Sequence, residues 1–345
     1  VAGLLLLGVS AVLAYQLSPW PRVLLIRWVF DRGALDASTA LERHLPAGLV
    51  ERLDVVYDPN DPDARLDLYM PAPRSRGPQP LLVVVWVHGG GFVSGRKEDI
   101  RNYARILAGH GLAVAGVGYG IAPATTWPTP AHQVNAATGF LRREAAALDL
   151  EPVGFVLAGD SAGAQIAAEL ANALTSPAHA DRLGLVPALS RHDLRGALLY
   201  CGPYDAGLID WTSPFAGFLR TALWAYMGRK DFLDDPRLGV FSVTRHLSPA
   251  FPPSFISAGN GDPLLAHSQA LAEALRGHGV DVETLFFPDA LEPALGHEYQ
   301  FDLDTDAGRQ ALVRSVDFLK RRAADPGPAG ASAGGPSAPA PAADR

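Results

Sequence analysis

Gly159-Asp160-Ser161-Ala162-Gly163 sets a serine between two glycines, directly after an apolar run and directly before an Ala-rich stretch of helical period. A serine on so tight a strand-to-helix turn is lifted clear of the sheet, and its glycine neighbours leave room for adjacent backbone. The pattern alone is weak, because a glycine-flanked serine also serves as a helix N-cap. Its position gives it weight. A hydroxyl is a poor nucleophile until a base takes its proton, and that base needs a carboxylate to orient it. The chemistry on offer is therefore acyl transfer through a covalent serine intermediate.

A second motif fits the same chemistry. His88-Gly89-Gly90-Gly91-Phe92 begins where the apolar run Leu81–Val87 ends. Three glycines strip a loop of side chains, so its N–H groups can approach a ligand closely. Acyl transfer puts a negative charge on the former carbonyl oxygen, and preorganised donors stabilise it. The expected donors are the amides of Gly89 and Gly90, joined by Ala162 beside the nucleophile. A phosphate cradle would want a following Gly-Lys-Ser/Thr, which is missing. His88 is expected to brace the loop.

The base and acid should follow the serine in the order acid, then histidine, at the ends of later strands. Ala258-Gly259-Asn260-Gly261-Asp262-Pro263-Leu264 offers Asp262, and Leu295-Gly296-His297-Glu298-Tyr299 offers His297. Asp205 is the best rival acid. His267 and His278 flank a helix, His110 and His132 precede the serine, and Asp289 and Glu292 read as solvated carboxylates of the His297 loop.

The elements that must position these residues alternate. Strands are read at Val50–Tyr57, Leu66–Tyr69, Leu81–Val87, Leu112–Gly118, Val153–Ala158, Leu194–Tyr200, Ser254–Ala258 and Val280–Phe287. Helices are read at Asp99–His110, 131–148, Ser161–Leu174, 267–277 and Asp306–Arg322. Such alternation specifies an α/β fold with a mostly parallel sheet covered on both faces. Residues 18–49 and 203–250 stand outside it. In the second stretch Trp211, Phe215 and Phe218 fall at i, i+4, i+7, one face of a helix. That stripe is read either as core packing or as the lining of a substrate pocket.

Together, His88-Gly89-Gly90-Gly91, Gly159-Asp160-Ser161-Ala162-Gly163, Asp262-Pro263-Leu264 and Gly296-His297 resemble the hormone-sensitive-lipase-like family of α/β-hydrolase esterases, over about residues 50–322. The resemblance implies an eight-stranded sheet flanked by helices, a helical cap formed partly by residues 18–49, no metal or organic cofactor, and hydrolysis of carboxylic esters. Short to medium acyl chains are expected, with amide or formamide cleavage on the same triad as an alternative. A non-catalytic small-molecule receptor is the reading from another class. Tyr119-Gly120-Ile121-Ala122-Pro123 occupies the place of the family's Tyr-Arg-Leu-Ala-Pro. Gly120 thus replaces the usual Arg, Ala124 a common Glu, and Ala266 a second acid, while residues 288–296 lengthen the approach to His297.

Composition narrows the partners. The chain has 345 residues, 48% of them hydrophobic, and a formal net charge of −7. No basic, aromatic-interleaved stripe is present, which argues against nucleic acid. Cys201 is the single cysteine, so neither an intramolecular disulfide nor a thiolate metal site is expected. Residues 1–17 carry no charge and approach bilayer length, with Arg22 and Arg27 following. They are read as a membrane anchor, against a cleaved signal of a secreted protein or an apolar cap helix of a cytoplasmic one. Residues 323–345, almost all Ala, Pro, Gly and Ser, are expected to be disordered.

Overall fold

The computed structural model describes residues 10, 13–72 and 79–325. Eight strands form one sheet: β1 Leu49–Val56, β2 Arg65–Pro71, β3 Gln79–Val87, β4 Ala113–Val117, β5 Leu150–Asp160, β6 Leu194–Tyr200, β7 Ser254–Ser257 and β8 Val282–Leu285. Their order is β1-β2-β4-β3-β5-β6-β7-β8. The β1–β2 and β2–β4 pairs are antiparallel and every other pair is parallel.

Strand β3 shows why the central runs are continuously apolar. Val83, Val85 and Val87 enter the core on one face, and Leu82, Val84 and Trp86 enter the core on the other. A strand covered on both sides has no solvent face to make polar. The first core is closed by α3 Thr129–Arg143, α4 Ser161–Thr175, α5 Pro177–Leu183 and α8 Leu265–Gly277. The second is closed by α2 Arg101–Gly109 and α9 Asp306–Ala324. Edge strand β1 is only half-covered, each of its residues being half-buried or exposed.

Three helices stand apart from this sandwich: α1 Trp20–Leu41, α6 Ala216–Met227 and α7 Arg237–Phe241. Helix α1 packs across α2 and α6. Arg27 pins it by donating to the carbonyls of Val93 (2.7 Å) and Ala122 (3.0 Å). The Phe30 and Phe218 rings meet at 5.3 Å, joining α1 to α6.

The membrane location expected from residues 1–17 is corrected here. Among the described residues no helix is long and apolar enough to cross a membrane. Ser18 and Pro19 break the chain before α1, whose Arg22, Arg27, Asp31 and Arg32 then interrupt any apolar run. The described end of the segment leans on the protein: Arg22 lies 4.2 Å over the Tyr15 ring, and Lys230 Nζ donates to the Gln16 carbonyl at 2.8 Å. Residues 1–9, 11 and 12 of that run lie outside the described residues, as does the expected tail beyond Asp325.

Candidate active site

The carboxyl ends of β3, β5 and β7, and the loop after β8, converge at one edge of the sheet, where parallel sheets carry their ligand sites. Strand β5 ends at Asp160 and α4 starts at Ser161, with no residue between. Ser161 consequently sits at φ +50°, a conformation an L-residue holds only when its surroundings enforce it. Glycine is needed on both sides. A Cβ on Gly163 would run into the Val87 carbonyl, and one on Gly159 would meet the Gly163 backbone.

The His297 Nε2 atom lies 2.9 Å from Ser161 Oγ, and its Nδ1 lies 2.9 Å from Asp262 Oδ2. Asp262 is buried, and its other oxygen accepts the Leu264 amide at 2.7 Å. Burial opposes the imidazolium form of His297. Hydrogen bonding to the Cys201 sulfur and to the Asp262 carboxylate, with the nearby Glu298, outweighs it, so the pKa lies above the ordinary histidine value. Burial pushes the adjacent Cys201 thiol up to about 11, which keeps it neutral.

The lengthened loop before His297 has its own scaffold. Asn260 donates to the Leu291 carbonyl (3.0 Å) and accepts the Leu295 amide (2.8 Å), while the Gly261 amide bonds the Leu295 carbonyl (2.9 Å). The Asp262 loop and the His297 loop are thereby tied together. The rival Asp205 is engaged elsewhere: Arg245 grips it at 2.8 and 3.1 Å, and it caps a short turn at Gly207. Burial alone would raise the Asp205 carboxyl, but these bonds hold it below the usual carboxylate range.

In the glycine loop, His88 stacks on Tyr119 at 4.2 Å and is fully buried. Desolvation drives its pKa down to about 4, so it stays neutral. The Gly89 amide turns to the Asp160 carboxyl. The amides of Gly90 and Gly91 have no hydrogen-bond partner among the described residues, and Ala162 lies in the first turn of α4, where N–H groups are unpaired.

Asp160 and Glu298 form a pair that the sequence reading missed. Both carboxyls crowd the space over Gly89, and Asp160 accepts the Trp86 Nε1–H at 2.7 Å. Burial first, and Glu298 second, raise the Asp160 pKa well above the carboxylate range. Asp160 therefore stays protonated beside the site. Its place inside the serine motif was the available signal.

A cavity of about 570 Å³ opens over Ser161, lined by α1, the glycine loop and the His297 loop. Phe215 and Phe218 line it, whereas Trp211 sits in the turn before α6, packed at 6.0 Å from Phe232. His267 also borders the cavity, with burial lowering its pKa to about 4. Among the described residues, Cys201, Asp262 and His297 form the one group with metal-ligand spacing.

Residues 84–291 match the family model of the α/β-hydrolase fold. Over 258 residues the chain is 30% identical to the acetyl esterase of Salmonella schwarzengrund (strain CVM19633), covering 71% of this chain and 73% of that one. The acetyl esterase of Salmonella typhi matches to the same extent, at 30% over 258 residues. Among solved structures, phosphonate-inhibited esterase B from Lactobacillus rhamnosis superposes with a TM-score of 0.73 at 22% identity, covering 88% of this chain and 96% of that one. The Pyrobaculum calidifontis esterase gives 0.69 at 21%, covering 87% and 94%.

Proposed function

Since this chain belongs to the α/β-hydrolase fold family, which contains the hormone-sensitive-lipase-like esterases, and is a carboxylic-ester hydrolase, we propose that it works through an acyl-enzyme on Ser161. His297 is the base and Asp262 its orienting carboxylate. The observation that carries this reading is the unbroken run of hydrogen bonds from Ser161 Oγ through both nitrogens of His297 to Asp262, 2.9 Å at each step.

In the first half-reaction His297 Nε2 takes the Ser161 proton as Oγ attacks the ester carbonyl. The negative charge on the carbonyl oxygen is met by the amides of Gly90 and Ala162. Gly91 fills the place assigned from sequence to Gly89, whose amide serves Asp160. The imidazolium, stabilised by Asp262, then protonates the leaving alcohol. Water repeats the sequence on the acyl-enzyme and returns the serine.

The substrates on this reading are esters of short to medium acyl chains. The acetyl esterases that this chain resembles point toward short ones, and residues 203–250 are too compact for the large mobile lids of interfacial lipases. Residues 18–49 and 203–250 together act as the cap. Replacing Ser161 with Ala removes one hydroxyl from a turn held by its glycines, so folding is kept. Turnover of 4-nitrophenyl butyrate should fall by about 10³-fold or more. An unchanged thermal melt with retained activity would remove Ser161 from the mechanism.

A further inference from the structure

Two cavities meet at Ser161. The larger, about 570 Å³, is bounded by His297 and Glu298 on one side and by Val29, Phe30 and Ala37 of α1 on another. The smaller, about 30 Å³, lies behind Phe218 and Leu219, closed by Ala222, Leu223 and Phe241. Ser161 borders both, but His297 borders only the larger.

That asymmetry sorts the two halves of an ester. The leaving alkoxide takes its proton from His297, so the alcohol must lie on the imidazole's side of Ser161. The acyl group points the other way, past Gly91 and Ala162 into the smaller space. Resting on the acyl-enzyme reading above, we propose that this chain selects acetate and propionate esters of bulky, apolar alcohols that carry no negative charge.

Volume and charge set these limits. One water needs about 10–15 Å³ of such space, so the smaller cavity admits about two heavy atoms beyond the carbonyl carbon. A longer chain meets the buried side chains of Leu223 and Phe241. The larger cavity has the size of a site for a drug-sized molecule. The acidic groups that give its wall negative charge are Asp99, Asp210 and Glu298, and no Lys or Arg lines it among the described residues. An anionic alcohol would enter a poorly screened, like-charged space, whereas a neutral or cationic one would not.

The test uses the full chain and two ester series. With 1-naphthol held constant and the acyl group varied, kcat/KM should fall about tenfold or more from propionate to hexanoate. With acetate held constant, methyl 4-acetoxybenzoate should exceed 4-acetoxybenzoate by about tenfold, and 1-naphthyl acetate should exceed phenyl acetate. Leu219→Ala joins the two cavities and should raise the hexanoate-to-acetate ratio about tenfold. Equal rates along the acyl series, equal rates for the charged and uncharged benzoates, or an unmoved ratio in folded Leu219→Ala would overturn the assignment. Intact-mass analysis during turnover separates the two levels of inference. Acetylation of Ser161 with the wrong selectivity rejects only this proposal, while turnover in Ser161→Ala rejects the mechanism beneath it.

Discussion

His297 has to be neutral to accept the Ser161 proton, and its surroundings favour the charged form. Because its pKa is raised, the neutral fraction is lost as pH falls through that raised value. The acid limb of kcat/KM should therefore lie above pH 6.5, the ordinary histidine value. A limb at or below it, read from a pH–rate profile, would contradict the assigned environment. Asp262→Asn keeps an acceptor for the Leu264 amide but loses the charge opposite His297 Nδ1 and invites the wrong tautomer. A loss on the order of 10⁴-fold in kcat is expected. Asp205→Asn only breaks a half-exposed pair with Arg245 and should change kcat by less than about threefold. Measuring both variants on one ester decides between the two acids; a reversed outcome would hand the role to Asp205. Ser161, Asp262 and His297 were legible as candidates because each lies in the segment that follows a strand's carboxyl end. The Asp160–Glu298 pair was not. Its members lie far apart in the chain, and nothing local shows that both reach Gly89.

At the scale of elements, α4 carries more than the serine. Gln165, Glu169 and Asn172 form a buried polar stripe at i, i+4, i+7, bonded to the Phe241 carbonyl, Trp127 and the His246 carbonyl. Burial raises the Glu169 carboxyl to about 8, against 4.5 ordinarily, with the Trp127 bond opposing it. A carboxyl raised on folding holds a proton that the unfolded chain releases. Its contribution is full below pH 4.5 and is lost as pH rises toward about 8. Glu169→Gln keeps the acceptor for Trp127 without a titrating group. It should melt a few degrees above the parent at pH 8 and close to it at pH 4.5; an equal offset at both pH values would contradict this. The central strands were readable, since a two-sided core demands continuous apolar runs. Of the aromatic stripe, only Trp211 was misplaced, because spacing alone ignores Pro214, which breaks the helix that would have joined it to Phe215 and Phe218. At Gly120 the missing family arginine has a local account: a side chain there would strike Thr125, and the Gly120 amide is held by Gln133 at 2.9 Å.

Across the whole molecule, the sheet presents the reactive groups and α1 with α6 shapes the space around them. Each motif could be placed on the sheet edge from sequence, because a parallel sheet sends its strand-end loops to one side. The walls of the cavity could not. They arise where α1 meets α6 and the glycine loop, a contact between residues nearly two hundred positions apart in the chain. Only the folded chain shows that Ser161 borders one wide cavity and one narrow one. The central claim is that Ser161 alone is activated, by its contact with His297. The most direct measurement is labelling of the full chain with a fluorophosphonate probe, followed by peptide mapping. One adduct on Ser161, formed in step with loss of esterase activity and abolished in His297→Ala, is the result this account predicts. An adduct on another serine, or undiminished labelling of Ser161 without His297, would contradict it.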